Sequence, residues 1–140
     1  HLTAEMQKLL NSRGQSALVN ARESAKKTFT TPAEYDQLRI MKESMTYCVE
    51  NFEHALAESR ESNACEKAYA LPDGSKIILG KERFCCPEIL FQPHLAERTD
   101  IAQEGIQKYI YDSIMKCDES IRRDFFKHIV LSGGNTVTAF

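Results

Sequence analysis

The sequence predicts a helix-rich α/β fold in which a β-hairpin packs among helices. Three stretches carry that expectation. Thr31-Pro32-Ala33-Glu34 is a strong helix start, and apolar residues recur by threes and fours behind it. "KAYAL-PDG-SKIIL", residues 67–79, reads as two short strands joined by a tight turn. Near the end, the apolar run Ile129-Val130-Leu131 feeds a Ser132-Gly133-Gly134 turn, as a buried strand would.

Taken in order, Leu2, Met6, Leu9 and Leu10 stand at helical spacing, with Thr3 as a candidate cap and Gly14 as a stop. From Gly14 to Thr30 periodicity is poor, and "RESAKKTFTT" reads as a polar connection or inserted loop. Thr31 then suits an N-cap, Pro32 the first helical position and Glu34 the return bond of a capping box. Tyr35, Leu38, Met41, Met45, Cys48, Phe52 and Leu56 continue the stripe as one long helix or two. Asn51 is a candidate cap for a second helix running from Phe52 to about Ser59. Arg39, Lys42 and Glu43 occupy the face opposite the stripe.

"ESRESNACE" is a polar loop, and the hairpin follows it, ended by Gly80. "KERFCCPEILF" turns towards short helical structure broken by Pro87 and Pro93. After the polar stretch "HLAERTDIAQE", Ile106, Ile110, Ile114 and Cys117 mark a helix, and Asp118 caps a shorter one carrying Ile121 and Phe125. The predicted strand Ile129–Leu131 and the glycine turn come last.

Bulk properties exclude several classes. The 140 residues suit one domain, with 42% apolar and 27% charged content, ordinary for a globular chain. A net charge of -2 argues against a dedicated nucleic-acid binder. No apolar run has the length of a membrane span, and no signal-peptide pattern opens the chain. Cys48, Cys65, Cys85, Cys86 and Cys117 lack framework or C-x-x-C spacing, which reads as free thiols in a reducing compartment. Glu50 and His54 form an i, i+4 pair that reads as a solvated helix face, so no metal site is expected. The first residue, His1, already lies in a helical pattern, which predicts a chain cut from something longer.

Motifs alone identify no catalytic centre. S-G-G-N-T lacks the P-loop lysine and is not G-x-G-x-x-G, so its plain reading is a tight strand-to-helix turn. Ser132 has a histidine four residues before it but no G-x-S-x-G elbow. Glu58 and Glu61 lie in polar segments that read as solvated.

Several stretches, in order and at similar spacing, resemble the actin family. They are "RIMKESMTY", "YALPDGSKIILGKERFCCPEILFQP", "SIMKCDESIRRDFFKHIVLSGGNT" and, more weakly, "LTAEMQKLLNSRG". The resemblance runs from Leu2 to Thr136. It implies a fragment of the actin-like ATPase fold, in which two ribonuclease-H-like halves clasp ATP. Residues 1–95 would approximate the small subdomain of one half, with the hairpin at 67–79. Residues 96–140 would be part of the adjoining large subdomain, ending at the nucleoside-binding glycine turn.

The resemblance also implies site residues. Lys42 would lie along the adenine, Glu43 would accept from the ribose hydroxyls, and Arg39 would lie nearby. Gly133, Gly134, Asn135 and Val137 would form the opposite wall. The cofactor would be ATP or ADP with Mg in the longer parent, with none held tightly by this chain. The family's phosphate hairpins, metal-coordinating aspartates and water-orienting residues match nothing between His1 and Phe140. Catalysis by the chain alone is therefore not expected.

Expected partners are other actin-fold subunits, actin-binding proteins or a chaperonin, with no nucleic acid and no membrane. The expected location is the cytoplasmic cytoskeleton, with the nucleus as a second compartment. The alternative is a free-standing, actin-derived module that binds actin, a chaperonin or an actin-related complex without nucleotide.

The chain also departs from the family pattern. Val137, Thr138, Ala139 and Phe140 stand where actins continue with methionine, an aromatic, proline and glycine, which removes the aromatic beside the base. The connection from Gly14 to Thr30 is longer than in typical actins. The loop from Gln92 to Gly105, matching the apolar filament plug, is charged and slightly longer. These departures suggest a divergent actin or an actin-related protein.

Overall fold

Thr31 caps helix α2 (Pro32–Met45) through a complete capping box: its hydroxyl accepts from the Glu34 amide, and Glu34 Oε2 accepts from the Thr31 amide at 2.9 Å. This computed structural model describes residues 2–13, 18–19, 29–96 and 104–137. The described residues divide into two units, one within 2–87 and one within 88–137.

In the first unit, α1 (Leu2–Arg13) precedes α2, and α3 (Phe52–Glu61) follows it. The apolar stripe therefore forms two helices, and Asn51 caps the second by accepting from the His54 amide at 3.0 Å. Arg83 explains why α2 stops. Its Nε donates to the Met45 carbonyl at 2.8 Å and its Nη1 to the Cys65 carbonyl at 2.7 Å, while its guanidinium lies 4.7 Å from the centre of the Tyr47 ring. The Arg83 carbonyl in turn accepts from the Tyr47 amide at 3.1 Å. That carbonyl is available because Pro87, four residues on, has no N–H to offer it. Pro87 accordingly sits inside the last turn of α4 (Glu82–Glu88), where the sequence suggested a break.

Strands β2 (Lys67–Ala70) and β3 (Lys76–Leu79) form the expected hairpin. The Gly74 amide donates to the Leu71 carbonyl at 2.9 Å, Asp73 accepts from the Ser75 amide, and Gly74 takes φ +82°, which suits glycine. A further strand, β1 (Leu18–Val19), pairs antiparallel with β3 to give the order β1-β3-β2. It falls inside the Gly14–Thr30 connection, where the sequence shows poor periodicity. Two residues hold this strand by their pairing with Ile77 and Lys76, a tertiary effect that periodicity does not register. Thr3 is likewise not a cap, since α1 already begins at Leu2. Gly14 and most of the long connection lie outside the described residues.

The first unit closes a core over Met6, Leu38, Met41, Leu79, Phe84 and Cys86, each at most 1% exposed. Phe84 meets Phe52 edge-on at 6.0 Å and Tyr47 at 6.1 Å.

In the second unit, α5 (Ile106–Met115) and α6 (Glu119–Lys127) form a helical pair. Gly105 opens α5 against the turn before it: the Ile106 amide donates to the Leu90 carbonyl at 2.9 Å, and a side chain at Gly105 would collide with the Phe91 carbonyl. Asp118 caps α6 by accepting from both the amide and the hydroxyl of Ser120. No residue of α6 is buried.

Ile129–Leu131 is not a buried strand. The segment forms no strand, and none of its residues makes a sheet pairing with any described strand; Val130 is 86% exposed. Apolar composition predicts a preference for burial, but burial requires a neighbouring strand, and the described residues provide none. The residues of the charged loop from 97 to 103 lie outside the described set. Among the described residues, no helix is long and apolar enough to cross a membrane.

Candidate functional site

The predicted site residues fall into two groups, one in each unit. On α2, Arg39 and Glu43 share an exposed face one turn apart. Arg39 Nη1 lies 3.7 Å from Glu43 Oε1, and its Nε lies 3.5 Å from Asp36 Oδ1. Such surface pairs are weak, contributing about 0.3–0.5 kcal/mol. The Glu43 carboxylate therefore stays available to a hydroxyl donor, with Arg39 beside it.

Lys42 is not on that open face. It is 9% exposed and belongs to the buried set of α2 with Leu38, Met41 and Met45. Its backbone carbonyl accepts from both the amide and the hydroxyl of Thr46, the latter at 2.7 Å. This corrects the sequence reading that set Lys42 opposite the core. The spacing 38-41-42-45 is itself a core stripe, a signal hidden by the lysine's charge. Long basic side chains bury their stems readily, so charge was the poorer guide.

Sequence reading also missed two buried groups of the first unit. Glu5 on α1 is 5% exposed and Cys86 on α4 is fully buried. Burial pushes the Cys86 thiol up to about 12, with the Lys42 ammonium opposing and the Glu5 carboxylate adding to the rise. The Cys86 thiol donates to the Leu2 carbonyl at 3.4 Å, tying α4 to the first turn of α1.

The second group is the glycine turn. Gly133 takes φ +102°, a conformation that favours glycine, and a short 3-10 turn spans Gly134–Val137. The Gly133 carbonyl accepts from the Thr136 amide at 3.0 Å and hydroxyl at 2.6 Å. A Cβ built on Gly133 or Gly134 would meet nothing within 4 Å. The backbone here faces open space, and a ligand could approach it closely. Asn135 lies in the middle of the turn and Val137 ends it.

Among the described residues, no group of three metal-ligating side chains comes together. Glu50 and His54 do not form part of one, and all five cysteines are free thiols. Two concavities of about 170 and 220 Å³ on the first unit share Ser59, Ser62 and Cys65, and neither is lined by Arg39, Lys42 or Glu43.

Comparison with known proteins bears on these two groups. The family profile described as Actin matches residues 2–139. "Putative actin-29" of Dictyostelium discoideum is 40% identical over 110 residues, which cover 78% of this chain. The same alignment covers 28% of that relative's length, so the match spans under a third of the curated protein.

Proposed function

This chain belongs to the actin family, and from that premise we propose that it is a segment of an actin-like, ATP-binding protein carrying half of the nucleoside pocket. The family match across nearly the whole chain is the observation that carries this reading. In it, Glu43 accepts from the ribose hydroxyls, Lys42 flanks the adenine and Arg39 stands beside them. Gly133, Gly134, Asn135 and Val137 supply the nucleoside contacts of the second unit.

The residues suit a nucleoside. The Glu43 carboxylate is exposed, the Lys42 stem offers an apolar flank, and the glycine turn leaves its backbone unobstructed. They do not suit the phosphates or Mg, for which no cluster of acids is assembled among the described residues. Those groups would be held by the remainder of a longer parent. The ribonuclease-H-like fold of that parent also accounts for Ile129–Leu131. With apolar side chains on both faces, this segment has the character of an inner strand of a covered sheet. Partners are then other actin-fold subunits, actin-binding proteins or a chaperonin, in the cytoplasmic cytoskeleton or the nucleus.

Phosphoryl transfer depends on positioning and on cationic stabilisation of the phosphates. The chain alone is therefore expected to release no phosphate, and to bind ATP no better than millimolar, about -4 kcal/mol. Calorimetric titration with ATP and magnesium, alongside a phosphate-release assay, tests both points. Micromolar binding or steady turnover would overturn the assignment of the pocket.

A second reading is favoured by the exposed apolar side chains of α6. Ile121, Phe125 and Phe126 are 42–45% exposed, and a free-standing interaction module would use such a surface on actin, a chaperonin or an actin-related complex. Stable capture of pure actin by the chain, unaffected by nucleotide, would favour this reading over the first.

A further inference from the structure

We propose that a groove between the end of α3 and the turn joining β3 to α4 is a docking site for an acidic peptide segment of a partner protein. An apolar side chain of that segment sits on Tyr47 and Phe84, and its carboxylates meet Arg60 and Lys81. Arg39, Lys42 and Glu43 line no part of the groove, so the inference does not rest on the nucleoside reading.

The two concavities of about 170 and 220 Å³ share Ser59, Ser62 and Cys65, and so form one groove with two lobes. Each lobe is smaller than the roughly 300–1,000 Å³ of a small-molecule or cofactor pocket, which suits neighbouring side chains of a peptide better than one compact ligand. The first lobe is aromatic, lined by Tyr47 and Phe84, with Glu58 exposed at its edge. Burial raises the Tyr47 hydroxyl above its ordinary value, with the Arg83 guanidinium opposing, so the phenol stays a neutral donor. Tyr47 as donor and Glu58 as acceptor suit a peptide backbone. The second lobe is lined by Arg60 and Lys81, and among the described residues neither forms an ion pair. The carboxylates of that lobe are already engaged. Glu82 is 1% exposed and accepts from the Gly80 amide at 2.9 Å, and Glu66 is not free either. The uncompensated cations make this lobe complementary to acidic side chains.

The walls are built from internal bonds. Arg83 donates to the Met45 and Cys65 carbonyls, the Ser62 amide to the Glu58 carbonyl at 2.9 Å, and the Ala64 amide to Ser62 Oγ at 3.1 Å. A groove fixed in this way lowers the ordering cost of binding. The half-buried Cys65 thiol stands in the wall that both lobes share, which makes it a reporter of occupancy.

The test is fluorescence anisotropy of the folded chain with a fluorescein-labelled peptide carrying Phe-Glu-Glu, against Phe-Lys-Lys and Ala-Glu-Glu versions. The Phe-Glu-Glu peptide should bind about fivefold or more tightly than either control. Arg60→Gln combined with Lys81→Gln, both at exposed positions that leave the core untouched, should weaken it about tenfold. Ala64→Trp, at an exposed turn position on the aromatic lobe, should fill that lobe and weaken binding as strongly. Lys76→Gln, on the hairpin outside the groove, should leave binding unchanged. Saturating peptide should also slow alkylation of Cys65 several-fold, read by mass spectrometry, while Cys117 in the second unit stays constant. Absence of saturable binding would overturn the inference. So would equal binding of the Phe-Lys-Lys peptide, full affinity in Ala64→Trp, or unaltered Cys65 labelling at saturation.

Discussion

Phe84 and Phe126 are the same residue type on short helices, yet Phe84 is 1% exposed and Phe126 is 44% exposed. Phe84 is enclosed by Phe52 and Tyr47, whereas the ring contact of Phe126 is with Tyr111, itself half exposed. The contrast extends to each unit. The first closes its apolar stripe over α1, α2, α4 and the hairpin, and a single arginine joins two backbone carbonyls and a ring. The second leaves α6 without a buried residue and Val130 in solvent. An apolar pattern states a demand for burial; among the described residues the first unit meets it across its helices, while the second buries Ile89, Ala96 and Ile114 and leaves α6 open.

The largest expected effect follows from Phe84. Phe84→Ala removes an enclosed ring and should cost about 3–5 kcal/mol, whereas Phe126→Ala should cost under about 1 kcal/mol. Urea denaturation of both variants measures the difference, and equal losses would remove the contrast between the units. Next are the two arginines. Arg83→Met abandons bonds to the Met45 and Cys65 carbonyls and should cost about 2–3 kcal/mol. Arg122 makes one bond, to the Cys117 carbonyl at 3.0 Å, so Arg122→Met should cost about 1 kcal/mol or less.

The smallest effect is a pH dependence in the second unit. Bonds from the Ser120 hydroxyl and amide hold the Asp118 carboxyl below its usual range. A carboxylate lowered on folding contributes stability above its unfolded value, near about 3.9, and loses it as pH falls through the folded value. Far-ultraviolet dichroism should therefore show α6 weakening only under acid conditions. Asp118→Asn should flatten that response, and an unchanged acid transition in the variant would refute the assignment.

Local chemistry was legible in the sequence, and tertiary supply was not. The caps at Thr31, Asn51 and Asp118 and the Pro72-Asp73-Gly74 turn each act within a few residues, so sequence alone located α2, α3, α6 and the hairpin. Strand β1 depends on pairing with Ile77 and Lys76, distant in sequence, and was read as loop. Ile129–Leu131 was read as buried because its composition states a preference and says nothing of a partner. At the candidate site, the shared face of Arg39 and Glu43 followed from their i, i+4 spacing. Lys42 was set on the wrong face because its charge outweighed a spacing that belonged to the core.

The central claim is that this chain is a segment whose first unit is closed and whose second unit is completed by a longer actin-family protein. Hydrogen exchange, measured on the chain and on a full-length parent, tests it most directly. In the chain alone, protection should centre on Met41–Phe52 and Tyr69–Leu79, while the amides of Ile129–Gly134 exchange at open-chain rates. In the parent, the Ile129–Leu131 amides should become protected as neighbouring strands pair with them. Uniformly fast exchange in the chain would contradict closure of the first unit, and unprotected Ile129–Leu131 amides in the parent would contradict the account of the second.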